Sequence, residues 1–148
     1  MARAEAEMRA AIVAEALSWE RTPYHPRAKL KGVGVDCAMF PAAVFNAVGL
    51  VPVISPDYSP QWMLHRDEEQ FLSWVTPYAR EIDRGEVGPG DFAIWKFGRC
   101  YSHGAIVIDL PEVIHAVIIG GGVIRANIDR DEELRSRLVR FFTLFGDR

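Results

Sequence analysis

The stretch that most constrains this chain is Lys31-Gly-Val-Gly-Val-Asp-Cys-Ala-Met-Phe-Pro-Ala-Ala-Val-Phe-Asn46. A flexible glycine pair runs into Asp36-Cys37, and an apolar segment of helical character follows. Asp is a preferred N-cap, so Cys37 is expected in the first turn of a helix ending near Val48, with Gly49 as its C-cap. Unpaired backbone N–H groups and the positive end of the helix dipole favour a thiolate there. Cys37 is thus a candidate nucleophile; a small hydrophobe packed in a core is the other reading, and this stretch alone leaves both open. If Asp36 is the cap, Pro41 cannot donate to the Cys37 carbonyl, which predicts a kinked or late-starting helix.

The 148 residues suffice for one domain with a real core, and the expectation is a single domain over 1–148. A net charge of −3 supplies no general electrostatic reason to bind nucleic acid or an anionic membrane. Cys37 and Cys100 make no disulfide framework and lie in no metal-binding spacing. No stretch has the apolar core of a signal peptide or the roughly 18 apolar residues of a membrane span. Synthesis in the cytoplasm, with any export by another route, is the expectation.

Residues from about Ala4 to Glu20 read as a helix with Met8, Ala11, Ile12, Ala16 and Leu17 on its apolar stripe, stopping before Thr22-Pro23. Tyr24 to Gly34 reads as a loop. Pro52, Pro56 and Pro60 mark a surface connection, and Gln61 to about Tyr78 a second helix. Glu86 to Gly90 is a turn delivering Asp91, read as structural, into a strand over Phe92–Phe97. Strands are expected at Ser102–Asp109, Val113–Ile119, Val123–Ile128 and Val139–Phe145, with a short helix near Asp131–Leu138. Helices first and an antiparallel sheet afterwards make an α+β protein.

A thiol nucleophile needs a base and a polar group to orient that base. Of the four histidines, His25 falls in a loop and His65 in a charged helix. His103 and His115 fall in apolar strands, where an imidazole is costly without a hydrogen bond. Whether their rings share a face depends on the connection between the strands. A three-residue loop, Asp109 to Pro111, or a bulged turn at Asp109 or Pro111, pairs Ala105 with His115 and makes His103 a same-face diagonal neighbour; a two-residue loop puts the rings on opposite faces.

In order along the chain stand Thr22-Pro23-Tyr24, Gly34-Val-Asp36-Cys37, Pro89-Gly90-Asp91, Ser102-His103-Gly104 and Ile114-His115-Ala116. On these the sequence resembles the NlpC-type cell-wall cysteine peptidases, and more closely the variants carried by phage tails and prophages. The resemblance spans roughly Ala4 to Phe145. It implies a papain-like fold, N-terminal helices on a small antiparallel sheet, and cleavage of peptide bonds in peptidoglycan stem peptides, at or near the γ-D-glutamyl–diaminopimelate link. It also implies Cys37 as nucleophile, His103 as base, His115 as the residue orienting that base, and Tyr24 beside the nucleophile. Asp36 has a counterpart in substrate binding, beside its reading as a cap. No metal or cofactor is implied; phage tail proteins are implied partners, and a virion-borne protein acting at the wall the implied location. Two departures stand out: Arg21 where the family commonly has glycine, and Ala38-Met39-Phe40-Pro41 where the family usually follows the Cys with a small residue and then Gly-Leu. A structural tail-tip or assembly protein of the same fold, or an amidase or acyltransferase of the same superfamily, are the alternatives.

Overall fold

The structure is a computed structural model, and it describes residues 2–26, 28–52, 72 and 75–146. The expected connection after Val51, from residue 53 on, and nearly all of the expected helix over 61–78 lie outside those residues. Helix α1 is Ala2–Ser18 and α2 is Met39–Ala47; Lys29–Leu30 (β1) and Gly34–Val35 (β2) form a two-stranded hairpin between them. There follow β3 (Arg80–Ile82), β4 (Phe92–Phe97), β5 (Cys100–Asp109), β6 (Glu112–Val117), β7 (Gly122–Asn127), a one-turn helix α3 (Glu132–Arg135) and β8 (Val139–Thr143). The main sheet has the order β3-β8-β4-β5-β6-β7, antiparallel throughout. This is the α+β arrangement expected, with two additions. The loop before Asp36 contains the β1–β2 hairpin, and β3 forms an edge strand too short to show an alternating pattern.

Helix α1 packs through Met8, Ile12, Ala16 and, just past its end, Trp19, while Ala11 is exposed. The stripe thus runs at i, i+4, i+8 and i+11, and the place expected for Ala11 goes to Trp19. Trp19 meets Phe40 of α2 edge-on at 6.1 Å between ring centroids. Both helices cover one sheet face through Phe92, Ile94, Ile106, Ile114 and Phe142. Each fully buried large side chain contributes roughly 1.5–3 kcal/mol. The opposite face carries Ala93, Trp95, Ala105, Val107 and Val113, and Leu134 of α3 packs there.

Helix α2 starts late, as Pro41 predicts. Asp36 Oδ1 accepts the N–H groups of Ala38 (3.1 Å) and Met39 (2.8 Å), and the Asp36 carbonyl accepts that of Phe40. Asp36 therefore caps the segment, Cys37 and Ala38 form a leading turn, and Pro41 falls in the first helical turn, where its missing N–H is not needed. The helix ends with Gly49 at φ +81°, whose N–H reaches the Asn46 carbonyl while that of Leu50 reaches Phe45, a Schellman closure.

Two bulges set which side chains share a face of β5. Trp95 pairs with His103 but Lys96 with Tyr101, leaving Ser102 in excess. Val107 pairs with Val113 but Asp109 with Glu112, leaving Ile108 in excess. The β5–β6 loop itself is only Leu110-Pro111. Without a bulge that length would separate the two histidines; Ile108 restores the parity, so Ala105 pairs with His115 as a three-residue loop would have made it.

Candidate active site

The segment after α1 is held against the sheet before it reaches Tyr24. Arg21 N–H bonds to the Val123 carbonyl and Val123 N–H to the Thr22 carbonyl. A Cβ on Gly122 would lie 2.1 Å from the Thr22 oxygen, so only glycine allows this approach. Val35 N–H then bonds to the Pro23 carbonyl and His25 N–H to that of Val35, which sets Tyr24 beside the turn carrying Cys37. Arg21, where the resembled family commonly has glycine, has φ +73°. Backbone in that region costs a non-glycine residue roughly 1–2 kcal/mol.

Tyr24, Cys37, His103 and His115 all line one cleft of about 620 Å³. The Tyr24 hydroxyl lies 3.9 Å from Cys37 Sγ, and the thiol points to the Ser102 carbonyl at 3.7 Å. His103 Nε2 and His115 Nδ1 are 2.8 Å apart with their rings nearly perpendicular. His103 lies between Trp95 and Phe97, whose ring centroids are 6.1 and 5.1 Å away. With Nε2 committed to His115, Nδ1 is the nitrogen left for the thiol. No hydrogen bond joins Sγ to His103 in this geometry; the S–H rests on the carbonyl one residue earlier in the chain.

Ser102 is the bulged residue of β5, and its carbonyl accepts the thiol, while His103 keeps the regular register of Gly104 and Ala105 against β4. A backbone carbonyl has no signature in sequence, and Ser102 was not expected to serve the site. The apolar tip between β6 and β7, with Ile118 and Ile119 exposed, and the pair Phe97 and Arg137 also line the cleft without an earlier sign. The Arg137 guanidinium stacks 3.9 Å over the Phe97 ring and pairs with Glu133 at 2.9 Å.

Electrostatically the resting site is neutral. Burial, reinforced by the Asp36 carboxylate, pushes the Cys37 thiol up to about 12, against the smaller pull of the Tyr24 hydroxyl and nearby backbone N–H groups. This reverses the expectation of a thiolate at the helix start, because Cys37 is buried and the group capping the turn is itself an anion. Burial first, then the Cys37 and Asp36 charges, raises the Tyr24 phenol, so it remains an O–H donor. Burial also lowers His103 well below the usual imidazole value, aided by His115 and Arg137, and takes His115 down to about 4 against the pull of Asp131.

Asp91 stands apart from this cleft. It is wholly buried, and its carboxylate accepts Arg9 at 2.8 Å, Gly88 N–H at 2.9 Å and the Thr143 hydroxyl. Its role is structural, as expected. Cys100 is buried and in no disulfide, and it does not line the cleft. Among the described residues, no group of three His, Cys, Asp or Glu side chains is placed to hold a metal ion. No described helix is long and apolar enough to cross a membrane.

No protein-family model and no curated protein matches the sequence. The fold does match solved structures. The NlpC/p60 domain of the peptidoglycan hydrolase SagA superposes with a TM-score of 0.64 at 23% identity, over 89% of this chain and 96% of that one. A lipoprotein-like NLP/P60 protein from Staphylococcus aureus gives 0.65 at 19% identity, over 95% of this chain but 42% of that longer one. The peptidoglycan hydrolase RipB from Mycobacterium tuberculosis gives 0.64 at 15% identity, over 95% of this chain and 66% of that one. The α+β fold of this chain is thus the fold of the NlpC/P60 domains.

Proposed function

We propose that the chain is a cysteine hydrolase acting on peptide bonds of peptidoglycan stem peptides. The observation that carries this reading is the convergence of Tyr24, Cys37, His103 and His115 on one cleft, with His103 held to His115 at 2.8 Å. SagA and RipB, which share the fold, are described as peptidoglycan hydrolases. For attack, the S–H leaves the Ser102 carbonyl for His103 Nδ1 as sulfur adds to the substrate carbonyl. Two depressed imidazoles and a raised thiol imply that this proton moves during attack rather than beforehand. The Cys37 N–H and the Tyr24 O–H are the donors for the developing oxyanion. His103 then protonates the departing amine, leaving an acyl-enzyme on Cys37; water, with His103 again as base, releases the acid and restores the thiol.

The γ-D-glutamyl–diaminopimelate bond, and delivery to the wall by a phage tail, are the finer parts of the proposal and rest on the sequence resemblance. Purified protein is expected to release fragments from peptidoglycan or a labelled stem peptide, with product masses naming the bond. Equal inertness of wild type and Cys37→Ala on such substrates would remove the hydrolase reading. The enclosed, raised thiol favours one second reading: a weakly active or inactive structural protein of the same fold. Alkylation separates the two. A competent site shows iodoacetamide capture of Cys37 that is faster than that of Cys100 and is slowed when a substrate-like peptide fills the cleft, whereas a structural protein shows slow capture at neutral pH with or without peptide.

A further inference from the structure

We propose that Arg137 is a specificity-determining residue of this site: its guanidinium, standing on the His103 side of the cleft, takes a carboxylate of the substrate near the bond to be cut. The inference rests on the hydrolase reading and names a group which that site recognises.

The position of Arg137 is fixed by backbone and side chain together. Its N–H bonds to the Leu134 carbonyl at 3.3 Å, and the carbonyl of the next residue, Leu138, accepts the Lys96 N–H at 2.9 Å, which ties the segment to β4. The guanidinium lies over Phe97, 3.9 Å from the ring centroid, and the Phe97 ring is 5.1 Å from that of His103. Arg137 therefore stands one aromatic ring away from the base, on the wall of the cleft that Cys37 and His103 also line. Its side chain is 33% exposed, so an entering ligand reaches it.

With both imidazoles neutral, Arg137 is the one cation among the described residues lining the cleft. Much of the wall is apolar, with Phe97, Ile118, Ile119, Ile124 and Leu134, and a charge pair against such a wall is screened less than one in open water. Two carboxylates share the cleft, and neither uses up the guanidinium. Asp131 caps α3, its Oδ1 accepting the Leu134 N–H. Glu133 meets Arg137 through one oxygen, Oε2, 3.0 Å from Nε and 2.9 Å from Nη2, and its side chain is 62% exposed. An ion pair that exposed contributes little and exchanges readily. Nη1 has no hydrogen-bond partner among the described residues. A planar fork held over an aromatic ring with one edge open suits a carboxylate. The proposed substrate supplies that group on both sides of the bond: a γ-linked glutamyl residue keeps its α-carboxylate free, and diaminopimelate carries a carboxylate of its own.

If Arg137 is the anchor and Glu133 its competitor, removing either has opposite effects, which a structural ion pair would not show. With a stem peptide bearing free carboxylates, Arg137→Met, which keeps an apolar cover on Phe97, is expected to raise KM about tenfold and to change kcat far less, the factor carried by one hydrogen bond to a charged group. Glu133→Gln is expected to lower KM. Arg135→Gln, which removes a positive charge from α3 outside the cleft, is expected to leave KM unchanged. Peptides amidated at the glutamyl or at the diaminopimelyl carboxylate are compared separately. Amidation of the recognised group is expected to raise the wild-type KM as far as Arg137→Met does, and no further in that variant, which names the source. Parallel losses in Arg137→Met and Glu133→Gln, or a KM rise in Arg137→Met that persists on both amidated peptides, would overturn the inference. Binding of the same peptides to Cys37→Ala, with and without Arg137→Met, separates it from the hydrolase reading. Cleavage that depends on Cys37, with binding indifferent to Arg137, removes the anchor alone. Carboxylate-dependent binding that follows Arg137, with no peptide cut by the wild type, keeps the anchor and removes the hydrolase.

Discussion

Two buried polar assemblies flank β4, and they are built in opposite ways. Arg9, Asp91 and Thr143 join α1, the turn leading into β4, and β8, and both oxygens of the wholly buried Asp91 carboxylate are engaged. Cys37, His103 and His115 join the α2 turn, β5 and β6, and this assembly is incomplete. The thiol rests on a backbone carbonyl, and His115 Nε2 has no hydrogen-bond partner among the described residues. A satisfied network makes one arrangement strongly preferred, whereas a site that must pass a proton keeps donors and acceptors in reserve. Stability is therefore expected to reside in the first assembly and activity in the second.

The largest separation of the two should come from Cys37→Ala. Hydrolysis is expected to fall by about 10⁴-fold or more, as for loss of a covalent nucleophile, with the thermal midpoint almost unchanged. A large stability loss would show that Cys37 is a core residue first. The converse substitution, Asp91→Ala, is expected to cost about 3 kcal/mol in denaturant unfolding, because it removes the buried carboxylate that ties Arg9, Gly88 and Thr143 together and leaves a cavity. At temperatures where the fold survives, kcat should stay near wild type. A selective loss of kcat would couple the two assemblies.

Acid makes the same division visible. The folded-state value of His115 is lowered to about 4 from an unfolded value near 6.5, so the unfolded chain binds more protons between these limits. Stability is full above about pH 6.5 and declines as pH falls toward 4, by on the order of 3 kcal/mol from this group. In His115→Leu that slope should shrink, with only a small stability change at pH 7 and a loss of hydrolysis. An unchanged slope would place the acid sensitivity elsewhere. The smallest effect belongs to Arg21, whose φ of +73° suits glycine. Arg21→Gly is expected to raise stability by about 1 kcal/mol and leave both assemblies alone, read as a shift in the unfolding midpoint.

Much of this arrangement was legible in local chemistry. Asp36 ahead of an apolar run, Pro41 four residues past Cys37, and Gly49 at the end announced a capped, late-starting helix. The turn before Asp91 announced β4, and two histidines in neighbouring apolar strands announced a pair in need of a mutual bond. Their shared face was legible only as a condition on the connecting loop. Neither bulge has a sequence signature, because Ser102 and Ile108 bulge in response to how β5 packs between β4 and β6.

What the sequence by itself determined is α1, α2 and the strands from β4 to β8 in their order, and the residues of the cleft that come in matched pieces: Tyr24, Cys37, His103 and His115. Periodicity, caps and turn residues act within a few positions, so they can be read along the chain. Tertiary structure alone decided the register that brings those residues together and the Ser102 carbonyl beside the thiol. It also decided the charge state of Cys37. A helix start lowers a thiol only while water and unopposed N–H groups remain, and here burial and the neighbouring Asp36 carboxylate outweigh them.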